Sequence, residues 1–359
     1  MRKIKLVLSD LHISGGRILE DGSPNLLEDF FYDRDLMDFL AWFSTEEYRK
    51  TDVELILNGD FLNTLQVDLR EKTPTLLTEQ LSLQKVQAII HGHSELFGAL
   101  REFVQTPNHR LTVIPGNHDP AFFWPAVRDS FGAFFDREVR FPMFIYRFDG
   151  FHIEHGNQHT VINSFEPKSL FVHKGVEEPV LNLPWGALFI INYLNKAKSR
   201  RNFIDKVKPL RRYLIGAMFI DPLFGWPAMA LLILFFIRTR LIPEHLNSKD
   251  LRHSLRMLSE GFRLTPNLEA VAKRILFADP DIHTVIMGHS HIYAHRRFRV
   301  DKEYFNTGTW NDAIHLDIQN LGKQRKLSFV MINYPDKDRP HASLLEWKGI
   351  SRPFVPVEF

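Results

Sequence analysis

The sequence contains no cysteine among its 359 residues. This absence excludes disulfide bonds, zinc sites with thiolate ligands and catalysis by a cysteine nucleophile, and it fits a reducing compartment. The chain also lacks internal repeats, low-complexity tracts and an apolar amino-terminal run long enough for a signal peptide, so we expect its first residues to form a strand. With 44% hydrophobic residues, it has enough apolar content for one large domain or two smaller ones.

Histidine, by contrast, is abundant, with 17 residues of this type. Candidate metal ligands occur in five short polar strings, Asp10-Leu11-His12, Gly59-Asp60, Gly116-Asn117-His118-Asp119, His155-Gly156 and Gly288-His289-Ser290-His291. Each string follows an apolar run that predicts a buried strand, at residues 4–8, 53–57, 111–114, 151–153 and 284–287. Because the loops beyond the carboxyl ends of such strands line one crevice, these side chains can converge.

Together the strings contain three carboxylates, one side-chain amide and five imidazoles, enough to offer two carboxylates, one amide oxygen and four imidazoles as ligands. This combination is the ligand chemistry of a hydrolytic centre with two metal ions. A carboxylate can present one oxygen to each of two metals, which would hold them close and let them share an acidified water. An imidazole that is not a ligand could then protonate the departing oxygen near neutral pH.

The motifs resemble those of the calcineurin-like metallophosphoesterase superfamily, over residues 1–160 and 280–312. The resemblance implies an α/β fold built as a four-layer α/β/β/α sandwich. It also implies a dinuclear metal centre that hydrolyses a phosphate ester or pyrophosphate with a bridging hydroxide. Carried over residue by residue, one metal would be held by Asp10, His12, Asp60 and His291. The other would be held by Asp60, Asn117, His155 and His289. His118 would be the catalytic histidine beside the scissile phosphate.

The oxygen- and imidazole-rich ligand set suits two divalent ions, and we expect manganese, with iron or zinc as alternatives. One position departs from the family pattern, because Asn63 replaces an acidic residue that orients the catalytic histidine in many members. Asparagine can accept a hydrogen bond but cannot balance an imidazolium charge. Asp119 is the alternative partner for His118, by adjacency alone. We predict substrate contacts for Asn63 and for His159 and His295, which follow two of the ligand motifs closely.

Residues 1–160 and 265–359 are predicted to form the catalytic domain, and residues 161–264 a helical insertion. Within the catalytic domain we expect helices at 33–45, 81–103, 121–135 and 266–277, and closing strands at 327–333 and 342–347. The tail with Pro353 and Pro356 predicts an extended edge segment. The string His91-Gly92-His93-Ser94 lies inside the second helical pattern and is interpreted as an ordinary helix surface.

The insertion is basic and apolar, with 16 Lys and Arg against eight Asp and Glu. Its apolar run at residues 214–237 could span a bilayer on length alone, but Asp221, Pro222 and Pro227 interrupt it. A single crossing would also place ligands of one metal site on opposite sides of the membrane. We therefore expect a helical hairpin turning near residues 225–227, or helices in the membrane interface. The competing interpretation is a hairpin packed into the protein's own core or a dimer contact.

Three functional hypotheses follow. The first is a phosphoesterase acting on a lipid-linked phosphate, with distant similarity to bacterial UDP-2,3-diacylglucosamine pyrophosphohydrolases, which typically carry Arg at the position of His118. The second is a soluble phosphodiesterase or nuclease, whose polyanionic substrate would use the basic residues 196–212. The third is a non-catalytic scaffold, which would need no complete ligand set. We favour the first, as a cytoplasmic enzyme held peripherally on an anionic membrane.

Overall fold

A computed structural model describes residues 2–19, 21–71, 73–198, 200–201, 203–204, 206–208, 210–241, 267–315, 322–324, 326–335 and 339–357. Residues 242–264 of the predicted insertion and residue 266 of a predicted helix lie outside this set. These ranges contain two main sheets.

The first of two main sheets has seven strands. In chain order they are β1 (Lys3–Leu8), β2 (Asp52–Asn58), β3 (His109–Ile114), β4 (Val139–Arg140), β15 (Ser328–Tyr334), β16 (His341–Trp347) and β17 (Phe354–Pro356). Their order across the sheet is β17-β16-β15-β1-β2-β3-β4. Strands β1 to β4 pair in parallel, while β15 joins β1 antiparallel. Both predicted closing strands and the extended carboxyl-terminal edge are therefore confirmed.

The second main sheet has five strands, in the order β11-β12-β10-β6-β5. Their bounds are β5 (Ile145–Phe148), β6 (Phe151–Glu154), β10 (Thr284–Met287), β11 (Ala294–Arg299) and β12 (Lys302–Asn306). The pairs of β10 with β6 and with β12 are parallel. The central strands of both sheets are buried on both faces, which is why they appear in the sequence as continuous apolar runs.

Helices cover the outer face of each sheet. The larger sheet is covered by α1 (Asp33–Trp42), α3 (Glu79–Gly92), α4 (Ser94–Gln105) and α5 (Pro125–Phe135), whose apolar faces join its main core. A short helix, α2 (Glu46–Arg49), precedes β2. The smaller sheet is covered by α10 (Leu268–Ala278), and a separate core lies between the two sheets. The layers are thus α/β/β/α, as predicted for a metallophosphoesterase sandwich.

The described part of the insertion is not purely helical. It contains α6 (Trp185–Phe189), a π-helical segment (Ile190–Leu194), α7 (Asn195–Lys198), α8 (Leu210–Ile220) and α9 (Pro222–Leu241). It also contains the two-residue strands β7 (Phe171–Val172), β8 (Val180–Leu181) and β9 (Val207–Lys208). Strand β9 joins a small sheet with β13 (Ala313–His315) and β14 (Gly322–Gln324). The division of the chain at residues 160 and 265 stays a prediction.

Helices α8 and α9 pack against each other as a hairpin, but the predicted position of its turn is wrong. The chain reverses at Asp221, and Pro222 begins α9, a first-turn position where its missing N–H costs nothing. Gly225 already belongs to α9, where an added Cβ would clash with the Ala217 and Met218 backbone. In the ranges that the structure describes, no helix combines the length and apolar character needed to cross a bilayer.

The helical prediction for residues 81–103 is confirmed except that the helix is divided, because the structure has two helices that meet at His93. His93 is buried and is not part of a helix surface. Its ring nitrogens contact the carboxylates of Glu28, at 3.0 Å, and Asp33. Similarly, the predicted helix at 121–135 is divided at Trp124, because Pro125 starts α5 afresh.

Candidate metal centre

The five polar strings converge at one edge of the sandwich. Asp10 and His12 follow β1, Asp60 follows β2, and Asn117 and His118 follow β3. From the second sheet, His155 follows β6, and His289 and His291 follow β10. The carboxyl ends of parallel strands from both sheets therefore build the site together, as expected for this class of sheet.

Two groups of ligand atoms result. The first consists of Asp10, His12, Asp60 and His291, and the second of Asp60, His155 and His289. Within each group, one candidate ligand atom per residue lies within 4.8 Å of all the others. Asp60 belongs to both groups: its Oδ2 lies 3.9 Å from His12 Nε2 and 3.1 Å from His155 Nε2. Asp60 is thus shared by the two groups.

Asn117 supplies a third kind of donor beside these groups. Its side chain is buried, and its Oδ1 has no hydrogen-bond partner among the described residues. Leaving a buried acceptor unpaired costs about 1–3 kcal/mol, so such an atom calls for an explanation. A bound cation would supply the missing partner. The residues present therefore fit the divalent metals that the motifs imply.

The backbone is strained where these ligands lie. Five candidate ligands adopt positive φ values between 50° and 65°, namely Asp10, His12, Asp60, His289 and His291. Residues with a Cβ rarely adopt this region, and each instance costs on the order of 1–3 kcal/mol. At Gly59, with φ of 79°, an added Cβ would also clash with the His155 ring. Such strain is typical of functional sites, where the surroundings enforce one side-chain direction.

The charges of the site are strongly coupled. Burial alone would favour a neutral Asp60 carboxyl, but the His155 and His118 imidazoles hold its pKa well below the usual range. Burial opposes the charged form of His155, yet the Asp60 and Asp10 carboxylates raise its pKa to about 10. At His289, burial and the neighbouring His155 together lower the pKa to about 3. The buried Asp60 is therefore ionised, as a metal ligand must be.

His118 lies beside these groups without belonging to them. Its ring makes an edge contact with His12, at 4.4 Å between centroids, and its backbone N–H donates to Asp60 Oδ1 at 2.8 Å. Its Nδ1 lies 3.1 Å from Asn63 Oδ1, so Asn63 contacts the histidine as its position in the motif implies. Burial lowers the pKa of His118, while the Asp60 carboxylate acts in the opposite direction.

Asp119 binds backbone N–H groups and is not the partner of His118. Its carboxylate accepts from the backbone N–H groups of Gly116, Phe61, at 2.9 Å, and Leu62, at 3.3 Å. It therefore joins the loops that carry Asp60 and His118 and does not contact the imidazole. Burial and the nearby Asp60 charge raise the pKa of Asp119 to about 7. The hypothesis that Asp119 is the hydrogen-bond partner of His118 was therefore wrong.

The two other predicted substrate contacts have protein partners outside the ligand groups. His159 Nε2 lies 2.6 Å from Glu154 Oε1. His295 stacks on Phe305 with 4.3 Å between ring centroids and approaches Glu303 at 3.6 Å. Their contact with substrate stays a prediction.

Two residues near His289 were not anticipated. Thr160 Oγ1 and Asn163 Nδ2 lie 3.3 Å and 3.4 Å from His289 Nε2. Neither belongs to a ligand string, and their distance from His155 along the chain follows no motif spacing. Asn163 also approaches Gly186 of α6, so the insertion begins directly beside the candidate metal centre.

The chain belongs to the calcineurin-like phosphoesterase family, whose model matches residues 5–293. It is therefore a phosphoester hydrolase of a family that uses divalent metal ions. Among solved structures, it is similar to a dimetal phosphatase from Danio rerio, with 9% identity over 96% of this chain and 95% of that one, and a TM-score of 0.37. A predicted phosphoesterase from Streptococcus pneumoniae has 10% identity over 96% and 90%, and a TM-score of 0.29. No curated protein matches.

Proposed function

We propose that this hydrolase acts on a lipid-linked phosphate ester or pyrophosphate while held peripherally on the cytoplasmic face of an anionic membrane. The observation that carries the proposal is the tip of the α8–α9 hairpin. Phe219, Ile220 and Leu223 are 79%, 88% and 89% exposed, and Trp226 is also exposed. Large apolar side chains that share one exposed surface mark interaction sites. We call these four residues the apolar tip.

The hairpin is joined to the catalytic core by its other face. Leu214, Phe224 and Phe235 are buried within the main core. The inner face of the hairpin therefore packs into the protein's own core, as the competing interpretation expects, whereas the apolar tip does not. The Tyr193 hydroxyl in the π-helical segment donates to the Ala228 carbonyl at 3.1 Å. Asn195, the first residue of α7, reaches the catalytic core and donates to the Leu65 carbonyl at 2.9 Å. A substrate anchored at the apolar tip would therefore lie on the insertion that borders the site.

The alternative of a nuclease needs basic residues available to phosphates. In the basic segment 196–212, Lys198 is buried against Asp29. Lys206 also approaches Asp29, at 3.4 Å, and Arg201 pairs with Asp221 at the hairpin turn. Three of the segment's eight basic residues are thus paired with carboxylates, which leaves fewer of them for the phosphates of a nucleic acid.

In the proposed reaction, Asp10, His12, Asp60 and His291 would hold one ion, and Asp60, Asn117, His155 and His289 the other. Bound divalent ions supply Lewis acidity and activate water, and manganese suits this ligand set. His118 would protonate the departing oxygen, and its position beside Asp60 suits contact with the scissile phosphate. The buried carboxylates limit the net positive charge of the loaded site.

Flotation with anionic liposomes tests the membrane proposal. We expect the wild type to float and the double variant Phe219→Ser/Leu223→Ser to stay at the bottom with unchanged hydrolysis of a soluble diester. Both side chains are exposed, so the variant should fold, unlike a deletion of the hairpin. Val300→Ser is the matched control, because Val300 is an apolar side chain 93% exposed in the turn between β11 and β12. If wild type and double variant behave alike on every lipid composition, the soluble phosphodiesterase hypothesis takes precedence.

A hydrolysis panel with manganese tests the substrate class. It should compare a lipid monophosphate, a nucleotide diphosphate-sugar lipid, a generic diester, a cyclic nucleotide and single-stranded DNA. The proposal expects the highest turnover on one of the two lipids, presented in vesicles. A preference for DNA or the cyclic nucleotide would contradict it.

A further inference from the structure

Two side chains in the loop after β12 bind the backbone of residues 10–12, which we call the ligand turn. The Thr309 hydroxyl donates to the Asp10 carbonyl at 2.6 Å. The Asn311 side-chain amide donates to the Leu11 carbonyl at 2.9 Å. Because a carbonyl oxygen can only accept, the direction of both hydrogen bonds is fixed.

The ligand turn is strained and buried, so its backbone groups need these partners. Asp10 and His12 have φ of 54° and 52°, and each such conformation costs on the order of 1–3 kcal/mol. Asp10 and Leu11 are fully buried. Loss of either donor would leave a buried carbonyl without that bond, at a cost of about 1–3 kcal/mol. The strained conformation would then lose a stabilising contact of the same size as its own strain.

The loop that supplies the two donors is itself fixed in the main core. Trp310, between them, is buried and makes an edge contact with Phe39, at 5.6 Å between ring centroids. Its Nε1 donates to the Ser328 carbonyl at 2.9 Å. Thr309 Oγ1 also accepts from the Asn311 backbone N–H at 3.1 Å, which holds the two donors relative to each other. The loop can therefore impose a conformation on the ligand turn.

Other groups hold the Asp10 side chain. The Ser9 hydroxyl donates to the Asp10 carboxylate, and the His289 backbone N–H donates to Asp10 Oδ2 at 3.0 Å. Thr309 and Asn311 instead bind the backbone carbonyls, so they act on the conformation of the ligand turn and not on the ligand atoms themselves.

We propose that Thr309 and Asn311 are positioning residues that hold the ligand turn ready for metal and thereby set the affinity of one metal site. This inference rests on the proposed ligand roles of Asp10 and His12 and is independent of the substrate. Both residues belong to the first ligand group, whereas the group of Asp60, His155 and His289 contains no residue that is part of the ligand turn. A variant whose turn relaxes in part of the population binds the first metal more weakly, in proportion to the fraction that stays competent.

Manganese binding to the full chain, followed by the electron paramagnetic resonance signal of free Mn²⁺, measures the two binding steps. In Thr309→Val, which keeps the shape but removes the hydroxyl, we expect one step to weaken about 10–100-fold and the other to stay unchanged. Thr309→Ser keeps the hydroxyl and should bind like the wild type. Thr112→Val is the matched control, because the buried Thr112 hydroxyl donates at 2.7 Å to Glu54, which belongs to neither ligand group. It should leave both steps unchanged.

Two further variants separate the possible outcomes. Asn311→Leu removes the second donor from a half-buried position and should weaken the same step as Asp10→Asn, which removes a ligand charge. Normal binding in Thr309→Val and Asn311→Leu, with a weakened step in Asp10→Asn, would refute the positioning role alone. Normal binding in Asp10→Asn would instead refute the ligand assignment. Equal weakening of both steps, or a lower free energy of unfolding with unchanged binding, would show a merely structural role and overturn the proposal.

Discussion

His118 and Asp60 occupy neighbouring positions but have different duties. Asp60 lies between both groups of ligand atoms, whereas His118 is held by Asn63 outside them. We therefore predict that His118→Ala keeps the metal content of wild type while kcat falls about 10²–10⁴-fold for substrates with poor leaving groups. Metal analysis and a leaving-group series measure the two quantities on the same preparation. Loss of metal from this variant would show that His118 is a ligand.

The seven candidate ligands could be read from the sequence because each follows a buried strand, and strand ends fix position. Thr160 and Asn163 could not, because no recognisable motif spacing places them beside His289. His93 was misread for a related reason. Its string mimics a ligand motif within a helical pattern, and only the fold shows that the carboxylates of Glu28 and of Asp33 in α1 meet it.

The junction between α3 and α4 gives a pH-dependent contribution to stability. Burial disfavours a charged His93, but hydrogen bonds with Asp33 and Glu28 outweigh it and raise its pKa to about 9. Because this pKa exceeds the unfolded value of about 6.5, the contribution is complete below pH 6.5 and is lost as pH rises through 9. Its size is at most roughly 3 kcal/mol.

We predict that the free energy of unfolding of metal-loaded wild type falls between pH 6.5 and 9 relative to that of His93→Gln. Glutamine keeps hydrogen-bonding capacity but carries no charge. Denaturant titrations of both proteins across this range measure the difference. Parallel stability curves would show that the charge of His93 does not stabilise the junction.

The α8–α9 hairpin contains two glycines in contrasting surroundings. A Cβ on Gly225 would clash with the Ala217 and Met218 backbone, whereas a Cβ on Gly216 would meet nothing within 4 Å. We predict that Gly225→Ala destabilises the protein by about 1–3 kcal/mol, because backbone atoms must shift. Gly216→Ala should stabilise it by about 0.5–1 kcal/mol through helix propensity. Equal melting temperatures for the two variants would contradict the close packing of these helices.

Only part of the structure of the hairpin could be predicted from the sequence. Its existence was predictable, because ligands on both sides of the apolar run require the chain to return. The position of its turn was not, because Pro222 and Pro227 both interrupt the run and only one begins a helix. The structure selects Pro222, while Pro227 is accommodated inside α9. Which apolar side chains face the core and which face outward depends on that choice.

For the molecule as a whole, the candidate site depends on both sheets being packed together. Asp10, Asp60 and Asn117 come from the first sheet, and His155 and His289 from the second. The core between the two sheets fixes the ends of these strands relative to one another. The resemblance of the motifs to a known family implied this sandwich, whereas the small strands of the insertion were too short to leave a periodic signal.

The most direct test of the account is an anomalous diffraction map from crystals of the protein grown with manganese. The account predicts two peaks, one among Asp10, His12, Asp60 and His291, the other among Asp60, Asn117, His155 and His289. Asp60→Asn should lose at least one peak and its hydrolytic activity, because the shared charge is gone. Asp129→Asn, which removes an exposed carboxylate on α5, should keep both. A single peak in the wild type, or two peaks with normal turnover in Asp60→Asn, would contradict the account.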